Sequence, residues 1–237
     1  LVREAMKSTG VTSGIEITTI ADIPSRGTGL GSSSAVTVGL LNALSTLAGK
    51  QMSAEELAEE ACRIEIDVLG QPIGKQDQYA AAIGGVNTIG FLPDGSVSID
   101  PLNLSEDVKN SIENEFILVY TGLTRSASSV LKKQKEMTSS RFQELTALRH
   151  QAFEVRSALE QHHLDLAAHF LEESWQIKRT LVDGITGKNL DQLHDLIMDS
   201  GATGAKLLGA GGGGFFLVHA PGEYTRRRLN ERLKPEN

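Results

Sequence analysis

Two carboxylates and one glycine–serine loop hold the chemistry most readily drawn from this chain. The loop, Gly27-Thr28-Gly29-Leu30-Gly31-Ser32-Ser33-Ser34, follows an alternating apolar run and opens into an apolar helix. Its glycines allow tight turns and bring N–H groups close to a bound group. Its serines fall where a helix leaves its first N–H donors unpaired and its dipole positive. That is an anion cradle, with phosphate the obvious anion. Glu65 stands on an apolar helix face, its neighbours three and four positions away being Ala61, Cys62, Val68 and Leu69. A carboxylate there is costly unless compensated, either by a Lys or Arg ion pair or by a bound Mg²⁺, which prefers carboxylate oxygen. Asp77 follows the turn Gly74-Lys75-Gln76. It either caps a short helix or serves as the base that accepts a proton from an attacking hydroxyl in phosphoryl transfer.

Other stretches are narrower in what they allow. Lys206-Leu207-Leu208-Gly209-Ala210-Gly211-Gly212-Gly213-Gly214 formally matches a dinucleotide-binding glycine pattern. That pattern requires a following helix, whereas Phe215 to His219 reads as a buried strand, so the dinucleotide reading fails. A strand–glycine loop–strand hairpin remains, its backbone able to approach another backbone or a ligand. Arg125, in the polar turn Thr121-Gly122-Leu123-Thr124-Arg125-Ser126, suits a phosphate or carboxylate; a surface salt bridge accounts for it equally well. Neither glycine loop contains the Gly-Lys-Ser/Thr of a P-loop. The six histidines lack zinc-ligand spacing, Ser33 is in no nucleophile elbow, and Trp175 is most simply core.

The elements that must position these residues follow from periodicity. Leu1 to Thr9 reads as helix, and Gly14 to Ile20 alternates as a half-buried strand. A helix over about 33–48 carries Val36, Leu40, Leu41, Leu44 and Leu47, with Gly49 at its end. Ser53 and Glu56 form a capping box opening a helix to about Leu69, with Leu57, Ala61, Ile64 and Val68 on one face. Strand-like runs follow near 86–91, 97–99 and 116–120. Helices are expected over about 126–138, 141–161, 164–181 and 189–200. The change of character near Glu115 divides the chain into domains 1–112 and 113–237. At 237 residues, 40% hydrophobic and 22% charged, it has ample material for such cores. A net charge of −7 opposes nucleic acid or an anionic membrane as partner; Arg226-Arg227-Arg228 reads as a solvated helix face. One cysteine, Cys62, fits a reducing, cytoplasmic setting. No apolar run approaches the ~20 residues of a membrane span.

Pro24 to Ala35 resembles the second motif of the GHMP kinases, the galactokinase, homoserine kinase, mevalonate kinase and phosphomevalonate kinase family. Lys206 to Phe216 resembles their third, glycine-rich motif, and Glu65 and Asp77 fall where that family keeps its magnesium-binding glutamate and catalytic aspartate. Within the family, Ser25–Ser34, Gly74–Ala82 and Tyr120–Ala127 are most similar to the branch that phosphorylates the anomeric hydroxyl of a heptose phosphate. The resemblance implies an α+β, two-domain fold, with an N-terminal domain like ribosomal protein S5 domain 2 and a ferredoxin-like C-terminal domain with added helices. It implies ATP and Mg²⁺, a small sugar phosphate as substrate, and leaves a homodimer open. On that reading Gly27, Thr28, Gly29, Leu30, Gly31, Ser32, Ser33 and Ser34 hold the ATP phosphates. Ser33 and Glu65 bind the metal, and Asp77, supported by Lys75, is catalytic. Thr124, Arg125, Gly211, Gly212 and Gly213 lie toward the sugar phosphate. The family's first motif is absent from the chain, which implies roughly a hundred residues preceding Leu1 in a complete enzyme.

Overall fold

A computed structural model describes residues 1–22, 27–124 and 127–234, with side chains except at 127–129. The chain forms two compact units, Leu1–Arg26 with Gly31–Pro101, and Gly27–Leu30 with Leu102–Asn237.

In the first unit, helix α1 (Val2–Thr9) packs on α2 (Ser32–Leu47), which packs on α3 (Ala54–Cys62) and α4 (Gln76–Ile83). Helix α2 starts from Gly31 at φ +66°, a left-handed conformation that favours glycine, and has no side-chain cap. Val38, Leu40, Leu41 and Leu44 form its buried stripe with Leu57, Ala61 and Ile64. Val36 and Leu47 fall outside that stripe and are exposed. The capping box expected at α3 is present: Ser53 Oγ accepts from the Glu56 N–H at 3.1 Å, and Glu56 Oε2 accepts from the Ser53 N–H at 2.7 Å.

The expected single helix from Ser53 to Leu69 changes register. Residues Arg63–Val68 wind as a π-helical turn, sealed by the Leu69 N–H on the Ile64 carbonyl at 3.0 Å. The wider turn rotates the end of the helix, so Val68 is exposed rather than on the buried face. Such turns concentrate at functional sites. Gly14 to Ile20 forms no strand: Ile15 and Ile17 are half-buried, as the alternation requires, yet Ile20 is 90% exposed and no described strand pairs with the segment. Alternation supplies a face, but a strand also needs a ladder partner. Strands β1 (Asn87–Phe91) and β2 (Val97–Pro101) make an antiparallel hairpin, Asn87 opposite Pro101 and Phe91 opposite Val97.

The second unit is built on an antiparallel sheet ordered β3 (Phe116–Tyr120), β5 (Phe215–His219), β4 (Gly204–Leu207). Phe116 and Gly204 both stand opposite His219. Ala205, Leu207, Phe216 and Val218 are fully buried with Trp175, Ile185, Ile197 and Leu229. Trp175 meets Phe216 edge-on at 5.6 Å, the core role expected of it. The helices are α5 (Glu106–Glu115), α6 (Ala127–Met137), α7 (Phe142–Glu160), α8 (Leu164–Lys178), α9 (Lys188–Asp199) and α10 (Gly222–Leu233). Helix α5, unforeseen from periodicity, is signalled by Ser105, whose hydroxyl accepts from the Val108 N–H at 3.4 Å. Arg226, Arg227 and Arg228 lie on α10. No helix among the described residues is long and apolar enough to cross a membrane.

Candidate active site

Glu65 is the most constrained charge of the first unit. It is fully buried in the π-helical turn, and neutral donors surround it. Oε1 accepts from Ser33 Oγ at 2.7 Å and Thr37 Oγ1 at 2.9 Å. Oε2 accepts from Ser34 Oγ at 2.7 Å and from Gln78 Nε2. Among the described residues no Lys or Arg pairs with it, so the ion-pair account of its burial is not the one the structure shows. Ser34, Thr37 and Gln78 are buried while Ser33 is exposed. Ser33 is thus the solvent-exposed member of the set.

The second carboxylate stands beside this cluster. A Cβ added to Gly31 would lie 3.3 Å from both Cβ and Cγ of Asp77. The positive φ favours glycine there, and any added side chain would press on Asp77. The N-cap of α4 is Lys75, with no side-chain cap bond, and Asp77 lies inside the helix. Its capping role is therefore not realised. Partial desolvation, and secondarily the Glu65 charge, push the Asp77 carboxyl up from its ordinary range, although the residue remains solvent-accessible. A carboxylate so tuned is a better proton acceptor near neutral pH. The Lys75 ammonium is held elsewhere, donating to the Gly95 carbonyl at 2.7 Å in the β1–β2 turn.

A Mg²⁺ ion fits this donor set. Mg²⁺ takes one or two carboxylates, keeps several waters and shares substrate phosphates. Here one carboxylate without a counter-charge adjoins a serine hydroxyl on a helix N-terminus, and the buried Gln78 Oε1 has no hydrogen-bond partner. Among the described residues there is no cluster of three or more His, Cys, Asp or Glu, so a site of this kind would depend on a phosphate-bearing ligand. Cys62 is no competing nucleophile, since burial pushes its thiol up to about 11.

In the second unit the two glycine stretches interlock. A Cβ on Gly29 would lie 2.8 Å from the Leu208 carbonyl oxygen, and one on Gly209 2.5 Å from the Gly29 Cα. A Cβ on Gly214 would strike the Thr28 carbonyl. Thr28 is buried. The Gly212 N–H donates to the Ile185 carbonyl and the Gly214 N–H to the Leu123 carbonyl, both at 2.8 Å. Gly211 and Gly213 approach the same two residues too closely for any side chain. Gly211, Gly212 and Gly213 are thus spent on backbone packing, and Thr124 is exposed beside them. Arg125 lies outside the described residues. Thr37 and Gln78 escaped the sequence reading. Thr37 could have been found one helical turn after Ser33, whereas nothing near Gln78 announces its inward direction.

Residues 1–85 match the family described as GHMP kinases N terminal domain, and residues 155–234 match GHMP kinases C terminal. The chain is 32% identical to D-glycero-alpha-D-manno-heptose 7-phosphate kinase of Campylobacter jejuni, over 87% of this chain and 62% of that protein. It is 31% identical to mevalonate kinase of Pyrococcus horikoshii, over 88% and 60% respectively. A crystal structure of a D-glycero-D-manno-heptose 1-phosphate kinase from Bacteroides thetaiotaomicron superimposes with a TM-score of 0.71 at 25% identity, covering 98% of this chain and 66% of that one. The chain therefore spans under two thirds of the length of these relatives. With both domain types in order, and the motifs that carry the resemblance in place, the chain belongs to the GHMP kinase family.

Proposed function

We propose that this chain supplies the nucleotide loop, metal carboxylate and catalytic base of an ATP-dependent kinase acting on the anomeric hydroxyl of a sugar phosphate, D-glycero-D-manno-heptose 7-phosphate being the favoured substrate. The observation that carries the reading is Glu65: a buried carboxylate held by four neutral donors, one of them the first-turn serine of α2, with Asp77 against Gly31 at the head of the same helix. The sugar rests on the similarity to the Campylobacter enzyme.

Gly27 to Gly31 and the N-terminus of α2 at Ser32, Ser33 and Ser34 present N–H donors to the ATP phosphates. Mg²⁺ bound at Glu65 and Ser33 would neutralise charge on the β- and γ-phosphates. Asp77 orients the sugar hydroxyl and accepts its proton as the oxygen attacks the γ-phosphorus of ATP in line, the bond to the bridging oxygen breaking so that ADP leaves. Catalysis of this kind is positioning plus charge stabilisation. On the sequence resemblance alone, Thr124 and Arg125 are assigned to the sugar's existing phosphate. Lys75 positions the start of α4, and hence Asp77, through its bond to Gly95.

The test is turnover of the full-length protein with ATP and a panel of sugar phosphates. Asp77→Asn should retain ATP binding while turnover falls by about 10²–10⁴. Wild-type turnover in that variant removes the assignment of the base, and activity on mevalonate but not on sugar phosphates removes the assignment of the substrate.

A further inference from the structure

Two lysines meet at the third glycine motif, Lys206 from within it and Lys178 from helix α8. Lys178 ends α8, and its ammonium donates to the Gly209 carbonyl. Gly209 is the residue seated on Gly29, so Lys178 holds a carbonyl of the interlocked loops. Lys206 projects from β4 beside α8 and donates to Ser174 Oγ at 3.3 Å. Both side chains are half-buried. Burial and the neighbouring Lys206 charge push the Lys178 ammonium down to about 8, and burial lowers Lys206 as well.

Neither lysine has a carboxylate partner among the described residues, and the acids on the same helix are engaged elsewhere. Glu172 accepts from His194 and from the Ala205 N–H, both at 3.0 Å. Glu173 accepts from Gln151 at 2.8 Å. The adjacent Arg179, by contrast, is paired with Asp191. A tether for the Gly209 carbonyl needs one N–H, which a neutral amide could supply. Each ammonium carries three, of which the described contacts use one. Ser174, which accepts from Lys206, lies one turn before Lys178 on α8, and two like charges so placed and partly desolvated oppose folding unless a counter-charge joins them.

We propose that Lys178 and Lys206 form a dicationic subsite for a phosphate group beside the glycine-rich loop of the second unit. A phosphate dianion offers three acceptor oxygens and matches the missing charge. Its bearer is either the nucleotide or the phosphorylated sugar, and only that identification rests on the kinase reading.

The test titrates the full chain with inorganic phosphate, ATP and a hexose 6-phosphate by calorimetry, in the wild type and in Lys178→Met, Lys206→Met, the double variant and Lys178→Arg. Each single Met variant should weaken phosphate binding by roughly ten- to a hundredfold, while Lys178→Arg retains it. Weakening confined to ATP identifies the nucleotide as bearer, and weakening confined to the hexose 6-phosphate identifies the sugar. Unchanged binding of all three probes in the double variant overturns the subsite. Should the Met variants not fold, the lysine ε-methylene NMR signals of the wild type decide. Lys178 and Lys206 signals that shift saturably with inorganic phosphate support the subsite; signals that stay still overturn it. Asp77→Asn separates this result from the kinase assignment, because phosphate binding there should keep its wild-type affinity and its sensitivity to Lys178→Met even where turnover is lost.

Discussion

Glu65 and the Lys178–Lys206 pair are opposite charges left in the same predicament. In the first unit a buried carboxylate is held by three hydroxyls and an amide. In the second, two ammoniums are held by a carbonyl and a hydroxyl. Neutral partners satisfy hydrogen-bonding geometry without cancelling charge, so each cluster keeps an unmet electrostatic demand. The clusters differ in rigidity. Glu65 is clamped by donors from α2 and α4, while the lysines reach from α8 and β4, Lys178 toward a loop whose shape is fixed by glycine backbone contacts. On the proposed reading, the first cluster would take a cation at a defined point. The second depends on a loop being held for it.

That dependence gives the largest effect. Gly209→Ala places a Cβ 2.5 Å from the Gly29 Cα at a φ of +66°. A left-handed alanine and a backbone clash together should destabilise the second unit by roughly 2–5 kcal/mol. Hydrogen exchange resolves it, with β4 and β5 amides losing protection while α2 amides keep theirs. Equal loss in both units would show that the loop is no private feature of the second.

Glu65→Gln sharpens the other side. Without ligand the variant should be at least as stable as the wild type, because an uncompensated buried charge is gone. In the wild type, Mg²⁺ with ATP at a hundred times the dissociation constant should add about 2.7 kcal/mol. The Mg²⁺-dependent part of that gain should vanish in Glu65→Gln, as read from denaturation midpoints with and without the metal. A variant that keeps it would place the metal away from Glu65.

The same contrast explains what was legible in the sequence. Glu65 stood out because its helical neighbours are apolar, and Gly27 to Ser34 because glycines meet a helix start. The π-helical turn was hidden, since it arises from a shift of one hydrogen-bond position that leaves residue types unchanged. The Gly14 to Ile20 alternation correctly marked Ile15 and Ile17 as inward but could not state whether a partner strand exists. Lys178 was invisible for a related reason. Its meaning depends on α8 packing along β4, and nothing around it on its own helix marks it as unusual. Local pattern reveals a misplaced charge when the surrounding face is apolar, and fails when the misplacement is created by a distant element.

The smallest effect tests whether the lysines do oppose folding. The Lys178 ammonium is pushed down to about 8 from an ordinary value of 10.5, so between those values the unfolded chain binds more protons than the folded one. Stability must then rise with pH across that window, the penalty being complete below about 8 and relieved toward 10.5. Because the side chain keeps solvent contact, the rise should be about 1 kcal/mol or less. Lys206 titrates in the same direction, and Tyr79, pushed up chiefly by burial, adds a slope of the opposite sign in the alkaline range. The measurement is therefore the difference between wild type and Lys178→Met in urea melts from pH 7 to 10. Lys178→Met should be the more stable protein at pH 7, with its advantage shrinking as pH rises. Adding inorganic phosphate at pH 7 should shrink the same advantage by stabilising the wild type, whereas a difference indifferent to both pH and phosphate would leave Lys178 as a tether alone.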